Sequence, residues 1–239
     1  MIDIKNLIFE YDRGIRVLDN ISLSCKNGES VGLVGANGAG KSTLLKLLVG
    51  IADKYEGEIK VDGLDVNKKN ISKIREKTGY VFQDYDSQLF MPKVVDDVAF
   101  APVNYGFAKE EVDRRVDKAL TQINIEHLRD RHIYKLSGGE KKLVSIATIL
   151  SMEPEIILMD EPSIALDPKN RRNLINILNN LGQLKIIASH DLDMIMDTCK
   201  RTVLLSGGRI AADGDTREVL SDKELLESAG LELPLRLQK

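Results

Sequence analysis

The stretch GANGAGKST, Gly35 to Thr43, constrains this chain more than any other. It follows an apolar run, Ser30-Val31-Gly32-Leu33-Val34. It precedes a helical pattern from Lys41 to Gly50, with Leu44, Leu45, Leu47 and Leu48 on the inner side and Gly50 as a stop. A glycine-rich turn between a buried strand and a helix start makes backbone amides converge at the positive end of that helix. The spacing is GxxxxGK[ST], and strand and helix flanks are the context that motif requires. Gly35, Gly38 and Gly40 allow the backbone to wrap around phosphates, and Asn37 and Thr43 belong to the same nucleotide-contacting stretch. Lys41 is placed for the β- and γ-phosphates of ATP and Ser42 for Mg²⁺. The plain alternative is a flexible turn before a helix, which leaves Lys41-Ser42 without a reason.

The rest of the chain reads as an α/β protein. Ile2, Ile4 and Leu7 open a half-buried strand, and Glu58 to Gly63 reads as a strand and turn of a smaller β region. Ile156–Met159, Lys185–Ala188 and Thr202–Leu205 are short apolar runs that read as buried strands. Val112, Val116, Leu120 and Ile123 recur at helical spacing, as do Leu143, Ile146, Ala147 and Leu150. These patterns predict a helical insert over 84–152. Residues 1–83 and 153–205 then form a nucleotide-binding core with a β subdomain, and 206–239 a short extension. In that extension a Gly207-Gly208 turn, a capping box from Ser221 to Glu224 and a stop at Gly230 are expected.

Two further segments bear on phosphate chemistry. Ile156-Ile157-Leu158-Met159 delivers Asp160 and Glu161 at a strand's carboxyl end, where ligands of parallel sheets bind. Asp160 suits a Mg²⁺ shell and Glu161 suits polarising an attacking water. His190 ends the Lys185–Ser189 run on the same edge, within reach of a γ-phosphate or that water; a structural histidine is the alternative. Ser137, Gly138 and Gly139 in LSGGE begin a helix and offer a second anion site. Two phosphate sites for one nucleotide are reconciled if the second serves a neighbouring subunit.

Composition removes several classes. Of 239 residues, 34 are Lys or Arg and 37 Asp or Glu, so the net charge of −3 gives no global attraction to nucleic acid. The basic run Lys68–Lys77 is interrupted by Ile71, Ile74 and Glu76 and reads as a solvated helix face. The two cysteines, Cys25 and Cys199, are far apart, which argues against a disulfide framework or zinc site. The opening MIDIKNLIFEYD lacks a basic and apolar leader pattern, and no run approaches the roughly 18 apolar residues of a spanning helix. A cytoplasmic chain is expected, with any membrane role passing through partners.

With these residues in hand, the sequence resembles the ATP-binding-cassette (ABC) ATPases over nearly its whole length. GANGAGKS looks like their Walker A motif, ILMDEP their Walker B with Glu161 as the catalytic carboxylate, and LSGGE their signature. Ser163 to Asp167 looks like the D-loop, His190 the switch histidine, and Gln83 the Q-loop glutamine that reaches the Mg²⁺ and attacking-water region. Tyr11 matches the aromatic that stacks on adenine. The resemblance implies a P-loop NTPase core of RecA type, an antiparallel β subdomain and an α-helical subdomain. It also implies a head-to-tail dimer with ATP sandwiched between Walker A of one subunit and the signature of the other. Glu140 and Leu143 depart from the usual Gln and Arg; Glu140 either opposes a phosphate or acts as an acid in the first helical turn.

The segment after Gln83 narrows the expectation. QDYDSQLFMPKVVDDVAFAPVNYG resembles the QNPDDQLF…TVEDDVAFGPxNxG region of energy-coupling-factor (ECF) transporter ATPases, including cobalt and nickel members. The resemblance implies an ATP-hydrolysing subunit on the cytoplasmic face of the membrane. Its partners are a second ATPase subunit, identical or paralogous, a transmembrane coupling protein and a small substrate-binding membrane protein, with a metal ion or vitamin as cargo. Tyr85, Leu89 and Phe90 are expected as apolar sockets for a coupling helix, and Asp86 and Asp97 as acids facing its basic residues. The alternatives are the ATPase of another ABC transporter, a soluble ABC protein of DNA repair or chromosome organisation, or an ATP binder without turnover. The absence of a heptad array or cysteine cluster between Lys41 and Ser137 speaks against the soluble class, and Glu161 with His190 against the inactive one.

Overall fold

The computed structural model describes residues 1–11 and 14–238. The chain opens with β1 (Ile2–Tyr11), β2 (Ile15–Cys25), β3 (Ser30–Val34) and α1 (Lys41–Leu48). Next come β4 (Glu56–Val61), β5 (Leu64–Asp65), α2 (Ile71–Lys77) and β6 (Thr78–Val81). Three longer helices follow: α3 (Val94–Asn104), α4 (Lys109–Gln122) and α5 (Gly138–Leu150). The chain then alternates through β7 (Ile156–Asp160), α6 (Pro168–Asn180), β8 (Leu184–Ala188), α7 (Leu192–Thr198) and β9 (Arg201–Ser206). After these lie β10 (Arg209–Asp215), α8 (Thr216–Ser221) and α9 (Lys223–Ser228).

The strands form two sheets. One is antiparallel, in the order β2-β1-β4-β5. The other runs β10-β9-β3-β8-β7-β6, parallel except for β10 at its edge. Strands β7 and β8 are buried at every position, as expected of parallel strands covered on both faces. Alternate side chains go to opposite layers. Ile156 and Leu158 join α1 and the antiparallel sheet in one apolar layer; Ile157 and Met159 join α5, α6 and α7 in the other. Because β3 lies between β8 and β9, the loop that follows it leaves from the middle of the sheet.

Several local expectations change. The capping box at Ser221 does not form. Ser221 is the last residue of α8, and its hydroxyl donates back to the Arg217 carbonyl at 2.6 Å. Asp222 caps α9 instead, accepting from the Leu225 amide at 3.0 Å, because a carboxylate one residue later sets the boundary. Gly230 does terminate that helix region, with φ of 72°. The Lys68–Lys77 run is a turn followed by α2, which buries Ile74 and ties itself to the end of α1 through Arg75, donating to the Val49 and Gly50 carbonyls at 2.9 and 3.0 Å.

The segment after Gln83 is also more inward-facing than its composition suggests. Leu89 is buried, and Tyr85 is half-buried against α5; of the three expected sockets only Phe90 is well exposed, at 63%. Asp97 is buried, and its carboxylate accepts from the Phe90 and Met91 amides at 3.1 Å each. It therefore fastens the start of α3 from inside the fold instead of lying on the surface. Burial pushes its carboxyl up from the ordinary range, with the two amides pulling the other way. Asp86 stays exposed and pairs with Lys141 at 2.8 Å. Among the described residues no helix is long and apolar enough to cross a membrane.

Candidate nucleotide site

Four neighbouring strands deliver the candidate residues at their carboxyl ends. The Gly35–Gly40 loop follows β3, His190 lies just beyond β8, Asp160 ends β7 with Glu161 the next residue, and Gln83 lies just beyond β6. Open parallel sheets bind ligands at this edge. Two of the glycines are fixed by space. A Cβ on Gly35 would stand 2.4 Å from the Leu205 carbonyl oxygen. At Gly40, with φ of 99°, a Cβ would stand 2.6 Å from a Leu18 methyl and 3.0 Å from the Val17 carbonyl oxygen.

Lys41 folds over its own loop. Its ammonium donates to the Gly35 carbonyl at 2.5 Å and the Ala36 carbonyl at 3.2 Å. Burial lowers its pKa, against the opposing pull of Glu161 and Asp160. The Ser42 hydroxyl donates to Asp160 Oδ1 at 2.9 Å, and the Tyr80 hydroxyl to Oδ2 at 3.3 Å. Burial raises the Asp160 pKa; the Ser42 hydrogen bond opposes it. Ser42 and Asp160 thus offer only oxygen donors, a set that fits a hard cation such as Mg²⁺.

Glu161 sits beside them in a left-handed conformation, φ 48°, with its amide donating to the Ala188 carbonyl at 2.8 Å. The Ser189 hydroxyl donates to its Oε2 at 3.1 Å, and the His190 amide donates to both carboxylate oxygens at 3.1 and 3.2 Å. His190 Nδ1 is 2.9 Å from Oε2. The carboxylate is therefore aimed by the end of β8 while the imidazole remains largely exposed.

Lys41, Ser42, Gln83, Glu161 and His190 line a cleft of about 520 Å³, with Tyr11 and the Asn37–Gly40 loop also on its wall. Tyr11 packs edge-on against Phe9, its hydroxyl is 3.1 Å from the Thr43 hydroxyl, and 47% of it is exposed. Asn37 and Gly38 are exposed on the loop. An adjoining cleft of about 280 Å³ contains Ser42, Gln83 and Asp160. A larger one, about 1010 Å³, lies between the Ser163–Leu166 turn, α7 and residues 231–238. It contains His190 but none of the phosphate-loop residues, so size alone does not locate the chemistry.

Ser137, Gly138 and Gly139 do not line the nucleotide-sized cleft of their own chain. They open α5, where Ser137 Oγ accepts from the Glu140 amide at 3.3 Å. Glu140 Oε2 in return accepts from the Ser137 amide and hydroxyl at 2.8 and 2.9 Å. This is a full capping box, and it decides between the two orientations open for Glu140: the carboxylate turns back over the helix start as a first-turn acid. The Ser137 hydrogen bonds lower its pKa.

Sequence reasoning missed Tyr80, Ser189 and Lys142. Lys142 is fully buried, and its ammonium donates to the Phe82 and Gln83 carbonyls at 2.8 and 3.0 Å. Burial pushes its pKa down to about 8, against the carboxylates of Asp160, Glu161 and Asp84. The signal was present: position 142 lies three residues past Gly139 and four before Ile146, on the inner face of α5. A charge there needs buried acceptors.

Residues 18–164 match the ABC transporter family. The chain belongs to the ABC transporter ATPases. It is 47% identical over 238 residues to the putative ABC transporter ATP-binding protein GSU1281 of Geobacter sulfurreducens, covering 100% of this chain and 96% of that one. It is 42% identical to the energy-coupling factor transporter ATP-binding protein EcfA of Carboxydothermus hydrogenoformans, over 98% and 87% of the two chains. Among solved structures, cbiO1 from Clostridium perfringens, described as part of the ABC transporter complex cbiONQ, superposes with a TM-score of 0.85. That pair shares 38% identity over 98% of this chain and 95% of the other. The dimeric ATP-binding cassette MJ0796 bound to ADP and Pi superposes with a TM-score of 0.82 at 29% identity, over 91% and 99%. This ABC ATPase is thus an ATP-hydrolysing transporter subunit, of a family that binds nucleotide, dimerises and works with membrane components.

Proposed function

We propose that this subunit powers an ECF-type importer for a metal ion, cobalt or nickel, or a vitamin, at the cytoplasmic face of the membrane. Its partners are a second ATPase subunit, a transmembrane coupling protein and a small substrate-binding membrane protein, with no nucleic acid involved. The observation that carries the reading is the surface beside Gln83. Phe90 and Phe100 meet edge to face at 4.6 Å, remain 63% and 40% exposed, and both lie within the Gln83–Gly106 stretch that resembles ECF ATPases. The EcfA and cbiO1 likenesses support it.

The site residues take these roles. Lys41 leaves the Gly35 and Ala36 carbonyls for the β- and γ-phosphates of ATP, while the amides from Asn37 to Thr43 and the glycines of the loop cradle them. Tyr11 stacks on the adenine. Glu161, aimed by Ser189 and the His190 amide, accepts a proton from the attacking water, and the exposed imidazole of His190 faces the γ-phosphate. Ser42, Asp160 and Gln83 would hold Mg²⁺, which when bound neutralises charge on the phosphate oxygens. Ser137, Gly138 and Gly139 serve the ATP of the opposing subunit, so loss of the γ-phosphate removes a contact that holds the two together.

The test is an affinity pull-down from detergent-solubilised native membranes, with partners identified by mass spectrometry. A multi-spanning coupling protein with one small membrane protein is expected for a single-cargo importer. Several small membrane proteins would mean a module shared among cargoes, and recovery of none would overturn the transport assignment proposed here.

A further inference from the structure

We propose that Lys142 is a positioning residue for ATP hydrolysis, fixing the Gln83 backbone to the signature helix so that Gln83 stays aimed into the nucleotide cleft. The inference rests on the role given to Gln83 above.

The connection from β6 to α3 is held to α5 by side chains rather than by backbone pairing. Lys142, fully buried, donates to the Phe82 and Gln83 carbonyls at 2.8 and 3.0 Å. Gln88 donates to the Ser145 carbonyl at 2.6 Å and the Thr148 hydroxyl at 2.9 Å, while its own carbonyl accepts from the Phe82 amide at 3.1 Å. Lys141 adds an exposed pair with Asp86. Of these ties, only Lys142 holds Gln83 itself. Gln83 lines both the cleft of Lys41 and Glu161 and the adjoining one of Ser42 and Asp160. Its backbone carbonyl therefore has one fixed donor, and that donor belongs to the helix that opens with Ser137-Gly138-Gly139. A displacement of α5 is passed to Gln83 through the hydrogen bonds that the ammonium of the fully buried Lys142 makes to the Phe82 and Gln83 carbonyls.

The test compares two neutral replacements. Lys142→Met keeps the length and loses the donor; Lys142→Gln keeps an amide donor. Steady-state kinetics are read per nucleotide-binding site, beside the affinity for a fluorescent ATP analogue. For Lys142→Met, kcat is expected to fall about 10- to 100-fold, the range for misplacing a group near the chemistry, with KM and affinity nearly unchanged. Lys142→Gln is expected to recover most of that loss, and Lys141→Ala to leave kcat alone. In a Gln83→Ala background the Lys142→Met effect should vanish. Unchanged kcat in Lys142→Met, equal losses in Met and Gln, or an undiminished effect without Gln83 would each overturn the proposal. Wild-type activity in Gln83→Ala alone would remove the role given to Gln83, and the proposal with it; absent ATPase activity in the wild type would instead count against the catalytic reading. If Lys142→Met does not fold, amide exchange of the wild type decides. Segments 83–88 and 138–145 are expected to change protection together on adding ATP, and a response of one without the other overturns the tether.

Discussion

Lys41 already satisfies its ammonium with two carbonyls of its own loop, so exchanging them for phosphate needs little rearrangement. Removing it should cost the ~1.5–3 kcal/mol of a charged hydrogen-bonding partner. Lys41→Ala is therefore expected to weaken ATP about 10- to 150-fold, measurable by calorimetry; normal affinity would refute the role of Lys41. Asp97 yields a different prediction. Its folded pKa is raised, so the native state binds more protons than the unfolded chain between the ordinary carboxylate value and the raised one. Its contribution is fully present below that window and is lost as pH rises through it. Asp97→Asn keeps an acceptor for the Phe90 and Met91 amides without the charge. It should stay within about 1 kcal/mol of wild type near neutrality and flatten the acid limb of the stability profile, as read by denaturant melts. Charge reversal to Lys, which a docking role would make informative about partners, should instead cost about 3–5 kcal/mol by leaving a buried unpaired charge.

At the scale of elements, α5 depends on its first turn. Ser137→Ala breaks the capping box and should lower stability by about 1 kcal/mol, seen as a shift in denaturant midpoint with an unchanged slope. The parts of the fold legible in the sequence were those with one dominant period or a functional spacing. The β3 loop, the β7 carboxylates, the strand before His190 and the apolar stripes of α4 and α5 were all of this kind. What escaped was set by pairing rather than pattern. Strand β10, RIAADGD, has low intrinsic strand preference and exists because β9 offers it an edge. The turn-in of Asp97 depends on where Phe90 and Met91 direct their amides, which no spacing rule gives. Ser189 looked like a strand end, and only the bend after β8 brings its hydroxyl to Glu161. The phosphate loop was the most legible part of the candidate site because its chemistry requires particular residues at fixed intervals.

For the whole molecule, the separation of Ser137-Gly138-Gly139 from the cleft lined by Lys41 makes the isolated chain half of each proposed site. Glu161→Gln should slow hydrolysis by removing the base while sparing ATP binding, and so trap a two-subunit state. Light scattering with Mg·ATP is expected to report a dimer; a monomer would count against the sandwich. The sheet adds a mechanical consequence. The Lys41 loop, Asp160, Glu161, His190 and Gln83 all sit at the carboxyl ends of adjacent hydrogen-bonded strands, whereas α5 is joined to that edge near Gln83 through the side chains of Lys142 and Gln88. The molecule works like a caliper with one stiff jaw and one compliant jaw. On heating, nucleotide affinity should survive until the sheet itself melts, whereas hydrolysis, which needs both jaws in register, should fade at a lower temperature.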